Sequence, residues 1–523
     1  MQVNLSKTIK KGASTPKYVS PNQLTLCGFE TPFEQQLTSE NRWIKLSKLI
    51  PWDKIVGKYD VQFKSLEGRP PISGRVVLGA VIIKHMLCLT DRETVMQIQE
   101  NMFLQYFLGY TSFTNEAPFS PSLFVEIRNR LSLDIVNNIN DIVVAHQFEN
   151  QKNNDNNYTP ESNKDDSIQS SEAPINSVVT EEPATENNTT EPPIKNEGQL
   201  LMDATVAPQN ITYPTDLKLL NAAREKSEAL IDKLYQKLIE IDIEKPRTYR
   251  QIARKDFLNT ARKKAKSYKE IYKANGTQLR YLKRNLGNIA TLLKVCGEHK
   301  IEHKLKPREL EYIEVMQLIY EQQNEMHTEK KCIVENRIVN LHQRYVRPIK
   351  RGKDGKKVEF GSKLQVSLVK GFAYLDKLSW DNFNEGIYLI ESVEKYKQRF
   401  GFYPAEVLAD QIYCNRANRK KLKELGIKLL AKPLGRPSLQ AQSILVSPGE
   451  RNPIEGKFGQ AKVGYGLANI SAKLKNTSES WIASIILVLN LVNATRLNLL
   501  CLYQNIQCII MRLFGRKLWR LSC

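Results

Sequence analysis

Three carboxylates stand out for where the sequence puts them. Asp203 follows Leu200-Leu201-Met202, and Asp410 follows Val407-Leu408-Ala409. Each is a lone acid on or just past a short apolar strand, where burial is costly unless the group is paired or bound to a cation. Two such acids on neighbouring strands make a hard-oxygen site for a divalent metal. Taken singly, each also suits a strand end or the start of a turn. Glu455 is the third candidate, in Arg451-Asn452-Pro453-Ile454-Glu455-Gly456-Lys457-Phe458-Gly459-Gln460-Ala461-Lys462. Pro453 suits the first helical position, which makes Asn452 the N-cap and Glu455 the third helical residue, a capping-box arrangement. Lys462 lies seven residues on, within about 20° of the same helix face. An acid and a lysine on one face suit a metal-bound phosphodiester or a plain surface pair.

Other constellations carry less. Cys296-x2-His299-x3-His303, with Cys332 as a distant fourth, has zinc ligand types but lacks paired ligands at both ends. Gly459-x4-Gly464 is followed by Tyr465, so the Gly-Lys-Ser/Thr of a phosphate-binding loop is missing.

The elements that must hold these residues follow from periodicity. Gln199–Val206 is predicted as a strand. Residues 216–337 read as helical. After Arg344 the period changes to two, with Asp354-Gly355 as a hairpin-turn signal and Leu364, Val366 and Leu368 alternating as in a half-buried strand. A helix from Asn384 to about Arg399 ends at Gly401, and strands are predicted at 407–410 and 427–430. Asn415 and Gly426 bracket a helix between those strands. A further helix is expected near Pro453–Lys462, and a long apolar one over Ser480–Phe514. This order gives an α/β fold with a mixed sheet. Before it, Val76–Leu87 reads as a buried helix, Thr90 and Glu93 stand at capping-box spacing, and Ser120-Pro121-Ser122-Leu123 opens another helix. Residues 40–147 are therefore expected to be all-α, with short helices and tight turns that suit helix-turn-helix contact with DNA.

Charge points to the class of partner. The 523 residues carry 77 Lys+Arg against 56 Asp+Glu, a net charge of +21. That balance favours a polyanion, either nucleic acid or an acidic membrane surface. Residues 149–198 run the other way, with eleven acids, three lysines and almost no large apolar side chain. Such a segment is expected to be a disordered linker. Residues 245–284 hold fourteen Lys/Arg against Asp256 and Glu270, with five aromatic residues interleaved. They are expected to form a phosphate-tracking arm in which Arg262, Lys263, Lys264 and Lys266 contact DNA. The eight cysteines show no clustering, the first residues lack the apolar core of a signal peptide, and polar residues interrupt Ile482–Val492. A soluble chain in a reducing compartment is expected, with no membrane partner.

Several ordered blocks carry a resemblance. Arg451-x3-Glu455-x6-Lys462 resembles the Arg-Glu-Lys part of the signature of bacterial insertion-sequence DDE transposases. Asp203-Ala-Thr-Val-Ala-Pro-Gln-Asn-Ile, with Tyr213-Pro-Thr-Asp216, resembles their first-aspartate block. Arg347-Pro-Ile-Lys-Arg-Gly-Lys, Val358-Glu-Phe-Gly-Ser-Lys363 and Ala409-Asp410-x2-Tyr413-x2-Arg416-x-Asn418 resemble their middle blocks. Gly68-Arg69-Pro70-Pro71 and the helices after it resemble an InsH-type N-terminal domain. Pro448 stands where the family signature usually has a tyrosine.

The resemblance implies an RNase H-like catalytic domain over 199–515 with a helical insertion at 216–337. It would be preceded by a 1–39 extension, a DNA-binding all-α domain at 40–148 and the 149–198 linker, and followed by a basic tail at 516–523. It implies catalysis by Asp203, Asp410 and Glu455, which would hold two Mg²⁺ ions about 3.5–4 Å apart, Mn²⁺ being able to substitute. Arg451 and Lys462 would neutralise DNA phosphates. The partners would be double-stranded DNA, both terminal inverted repeats and target, and further copies of the chain in a homo-oligomer on DNA. The location would be the bacterial cytoplasm, with the nucleoid. A catalytically inactive, transposase-derived DNA-binding protein is the alternative.

Overall fold

The computed structural model describes residues 37–63, 71–156, 195–239, 243–350, 358–431 and 449–518. The Gly68-Arg69-Pro70 block, the Asp354-Gly355 turn, the loop around Gly435, Pro448 and the end of the basic tail lie outside them. So does most of the 1–39 extension.

Seven helices come first: α1 (Arg42–Leu49), α2 (Trp52–Asp60), α3 (Gly74–Met86), α4 (Asp91–Glu100), α5 (Met102–Phe107), α6 (Leu123–Arg130) and α7 (Leu133–Asn156). The predicted capping box opens α4, with Glu93 N donating to Thr90 Oγ1 at 3.2 Å and Thr90 N to Glu93 Oε2 at 2.8 Å. Helix α3 is buried all round from Gly74 to His85. Residues 149–156, expected in the linker, form the last two turns of α7 instead. At the other end, Asn196 Nδ2 donates to Leu425 O at 2.8 Å and Glu197 N to Tyr403 O at 2.9 Å. Both ends of the 149–198 stretch are therefore part of the described fold, because polar sequence can extend a helix that is anchored upstream; residues 157–194 lie outside the described set.

The sheet contains β1 (Gln199–Pro208), β2 (Arg347–Lys350), β3 (Val358–Val369), β4 (Phe372–Ser379), β5 (Glu406–Leu408) and β6 (Lys428–Leu430). Strand β1 is its hinge of direction. It pairs antiparallel with β3 on one edge, with Asp203 opposite Val366, and parallel with β5 on the other; β6 then follows parallel. Strands β2 and β4 share the far edge of β3. Gly361 is needed where β3 crosses β1, because any Cβ there would run into the backbone carbonyl of Ala207. The expectation of a half-buried β3 is corrected. Ser362, Gln365 and Ser367 are as buried as Leu364, Val366 and Leu368, since both faces of the sheet are covered.

Between β1 and β2 lie α8 (Asp216–Tyr235), α9 (Arg250–Ala261), α10 (Tyr268–Glu298) and α11 (Pro307–Thr328), which form their own apolar core. Helices α12 (Leu389–Phe400) and α13 (Arg416–Glu424) cover one face of the sheet, α13 with the predicted Asn415 cap. The opposite face packs against α14 (Asn452–Gly459) and α15 (Lys475–Leu518).

Helix α15 joins the two halves of the chain. Ile482 to Leu491 is buried in one continuous core with α1–α7 on one side and Leu364, Val366, Leu368, Ala373 and Leu375 on the other. Residues 475–496 are long and apolar enough to cross a membrane by length and composition alone, yet most of that stretch is buried inside the protein. At its centre Asn490 is fully buried. Its Oδ1 accepts from Ala373 N at 2.7 Å, and its Nδ2 donates to Ala373 O at 2.7 Å and to Asn140 Oδ1 at 2.8 Å. One side chain thereby satisfies the start of β4 and ties it to α7. Asn490→Ala is expected to cost about 2 kcal/mol or more, because it leaves the buried Ala373 N–H and the Asn140 amide oxygen without a partner, while Ala373 O keeps only Asn140 Nδ2 at 3.3 Å. Urea unfolding of the two proteins measures it; a difference below about 0.5 kcal/mol would show that water replaces the amide.

Candidate active site

Asp203 lies in mid-β1, on the sheet face against which α14 packs, and its side chain is 18% exposed. Asp410 follows β5, is half exposed, and caps the 3₁₀ turn Gln411–Tyr413, its Oδ1 accepting from Gln411 N at 2.7 Å. Parallel pairing of β1 with β5 brings the two acids to neighbouring strands. One guanidinium then spans them: Arg451 Nη2 stands 3.3 Å from Asp203 Oδ2, and its Nη1 donates to Asp410 Oδ1 at 3.1 Å. Both acids touch one planar group, so less than about 10 Å separates those two oxygens. Arg451 Nε is buried without a partner.

Arg451 is the N-cap residue of α14 and makes no side-chain cap bond. The placement of Asn452 as N-cap is therefore corrected. Asn452 is the first helical residue, Glu455 is the fourth, and no capping box forms. The proline remains inside the first turn, where its missing N–H is harmless. Glu455 is exposed, one helical turn beyond Arg451. The helix also does not run regularly to Lys462. Gln460–Gly464 is a π turn, so the regular α-helical spacing assumed between Glu455 and Lys462 does not hold over its last residues.

Burial drives the Asp203 carboxyl up to about 6. The Ala204 N–H and Arg451 pull against it, while the charges of Glu385 and Asp410 push the same way as burial. Among the described residues no three His, Cys, Asp or Glu side chains converge as a ready-made metal cage. This covers Asp203, Asp410 and Glu455, and also the Cys296, His299 and His303 set. Cys296 is buried in the insertion core, and the His303 ring accepts from Leu305 N at 3.0 Å.

The surrounding shell is built from Lys363, Tyr413 and Asn418 of the middle blocks and from residues outside them, whose roles sequence alone did not disclose. Tyr413 is fully buried and donates its hydroxyl to Gln365 Oε1 at 3.0 Å. Asn418 Nδ2 donates to Gly386 O at 2.7 Å and to Tyr413 O at 2.9 Å, stapling the Asp410 turn to the 3₁₀ turn Glu385–Tyr388. Gly386 is packed so closely that a Cβ would stand 2.6 Å from Ile412 O. This places Glu385 close enough to act on Asp203. Lys363 ion-pairs with Glu385 at 2.8 Å and donates to Phe383 O at 2.8 Å. Glu385 carries no local signal of this kind, because it reads only as the start of a helix.

Arg262, Lys263, Lys264 and Lys266 lie together on the exposed connection between α9 and α10. Lys263 pairs with Glu270 at 2.5 Å, and Lys266 donates to Lys263 O at 2.7 Å, which shapes the connection. Further along the basic run, Lys245 and Arg250 are both held by Asp232, so part of the charge is compensated within the fold.

With this geometry in place, comparison with known proteins gives two family matches. Residues 407–492 match the transposase DDE domain, and residues 31–130 match a transposase domain (DUF772). Both are transposase domains. The first spans Asp410, Arg451, Glu455 and Lys462; the second spans α1–α6. Their occurrence in one chain is consistent with the insertion-sequence DDE transposases that the sequence resembles, a mobile-element family. A curated relative, "Uncharacterized protein ORF8 in nfe locus" from Rhizobium meliloti, is 31% identical over 88 residues, which is 17% of this chain. The match spans 42% of that relative's length. No solved structure matches.

Proposed function

We propose that this transposase binds insertion-sequence ends and carries out divalent-metal-dependent DNA strand cleavage and strand transfer, with Asp203, Asp410 and Glu455 as its acidic centre. The observation that carries the reading is the pair of aspartates held by one arginine, with Glu455 one turn along the same helix. An RNase H-like reading of the sheet is supported by the meeting of its antiparallel and parallel halves at β1, the strand that bears Asp203.

The donor set fits a hard divalent cation such as Mg²⁺. It offers carboxylate oxygens, and the most buried of them has a proton affinity raised by burial and by neighbouring acids, the environment that a cation relieves. When bound, such ions supply Lewis-acid stabilisation of the phosphodiester oxygens. The chain's own residues do the rest. Arg451 holds the acids while the site is without metal and is placed to turn its charge to a DNA phosphate. Lys462 adds a second cation on the same segment. Tyr413, Gln365 and Asn418 fix the Asp410 turn so that it does not drift from β1. Metal-dependent cleavage of the element's own end DNA is the decisive experiment. Binding of that DNA without cleavage under any divalent ion would favour the inactive DNA-binding alternative.

The connection between α9 and α10 is read as a surface that meets the DNA backbone. Neutralising Arg262, Lys263, Lys264 and Lys266 together is expected to weaken binding to all DNA sequences. It should also flatten the slope of log affinity against log salt by about 0.9 for each phosphate that is no longer neutralised. Fluorescence anisotropy across a salt series measures this, and an unchanged slope would make the connection a merely solvated surface.

A further inference from the structure

A cavity of about 520 Å³ opens where the end of α3, the start of α4 and α6 meet the segment between the π turn and α15. Three cations line it: Lys84, Arg128 and Lys473. The Lys84 and Arg128 side chains are only 2% and 7% exposed. Both depend on a single acid. Lys84 Nζ stands 2.9 Å from Asp91 Oδ1, and Arg128 donates both terminal nitrogens to the Asp91 carboxylate at 2.8 Å. Lys84 also donates to Leu89 O at 2.7 Å, and Arg128 Nε is buried without a partner. The next acid, Glu93, is turned to Thr90 in the capping box. His85 adds no charge, since burial, Lys84 and Arg128 hold it well below its ordinary value.

Two buried cations on one carboxylate leave positive charge in a place of low polarity, which is costly without a further anion. The cavity also restricts the kind of anion. Trp481 and Tyr465 form its aromatic wall, and Lys84 and Arg128 lie 4.6 Å and 5.4 Å from the Trp481 ring centroid, with His85 against that ring edge-on. The cationic lining is the charged feature that the cavity offers. That chemistry suits a phosphate group.

We propose that this cavity binds phosphate, and that its occupant is one backbone phosphate of the DNA held between the N-terminal helices and the segment following the catalytic helix. The DNA assignment rests on the transposase reading above; the phosphate site itself does not. It would let the two matched domains grip the same strand without reading its sequence.

Cys88 is an internal reporter. It is exposed, lines the cavity and donates its thiol to Gly464 O at 3.0 Å. Alkylation of Cys88 by N-ethylmaleimide is followed by peptide mass spectrometry on the full chain in EDTA, so that the result is independent of catalysis. Exposed Cys332, in the helical insertion, serves as control. Inorganic phosphate, at constant ionic strength, and duplex end DNA are each expected to slow Cys88 relative to Cys332 at least about fivefold. Lys473→Glu, at an exposed position on the rim, should abolish most of that protection. Protection by phosphate but not by DNA would keep the phosphate site and overturn the DNA assignment. Absence of protection by either, or protection by DNA that Lys473→Glu leaves intact, would overturn the phosphate site.

Discussion

Asp203→Asn and Asp410→Asn are each expected to lower the rate of end-DNA cleavage by at least about 10³-fold. That size follows from the several kcal/mol that metal-held charge stabilisation supplies, at about 1.4 kcal/mol for each decade of rate. Binding of the same DNA should change by less than about threefold, because affinity for DNA comes mostly from cations on phosphates. The two readouts are taken on one preparation, cleavage by gel and binding by anisotropy. The asparagines keep shape and remove charge, so a folded variant is expected from both. Glu455→Gln should behave in the same way if the exposed glutamate closes on the pair when DNA and metal arrive. Cleavage retained in Asp410→Asn would remove it from the acidic centre. Loss of binding together with cleavage would mean that Arg451, released from its partners, had reorganised the DNA-facing surface.

Asp203→Asn should also make the metal-free protein more stable, and by an amount that grows with pH. The folded carboxyl is raised to about 6 from 3.8. The folded chain therefore holds this proton more tightly than the unfolded chain does. The stability it contributes is full below about pH 4 and is lost as pH rises through 6. A shift of about two units corresponds to about 3 kcal/mol, an order-of-magnitude figure for a group this buried. In EDTA the variant should match the parent near pH 4 and exceed it by up to about 3 kcal/mol at pH 8. Urea unfolding at the two pH values checks this. An equal difference at both would mean that burial does not disfavour the charged form of Asp203. The sign matters for function, since a site that destabilises the fold when ionised is one that a cation would relieve.

Much of the frame was legible because it rests on local signals. Thr90 and Glu93 form their box, Asn415 caps α13, and Gly401 and Gly426 end their helices with positive φ. The two aspartates were visible as apolar runs followed by an acid, although β1 continues past Asp203 to Pro208. What was not legible depends on groups far apart in sequence. Arg451 could be recognised as a cation near Glu455, but nothing local said that it would span Asp203 and Asp410. Glu385 reaches the site only because Asn418 and Gly386 hold two short turns together. The burial of Gln365 and Ser367 depends on what covers the second face of the sheet, such as Tyr413 against Gln365, which a period-two pattern cannot report. The π turn that contains Lys462 follows from no residue preference that could have been read beforehand.

The shared core around α15 has a mechanical consequence. In a chain whose end-gripping unit hangs from a tether, the place of cutting depends on how the tether happens to lie. Here α1–α7 and the sheet that carries Asp203 are pressed onto opposite sides of one helix, and Asn490 pins α7 to β4 of that sheet. Flexing at that junction would open a packed interior. The molecule is thus built as a caliper: if α1–α7 grasp the end of an element, the number of base pairs from that grip to the severed bond is set by the width of the protein, whatever sequence lies between the jaws.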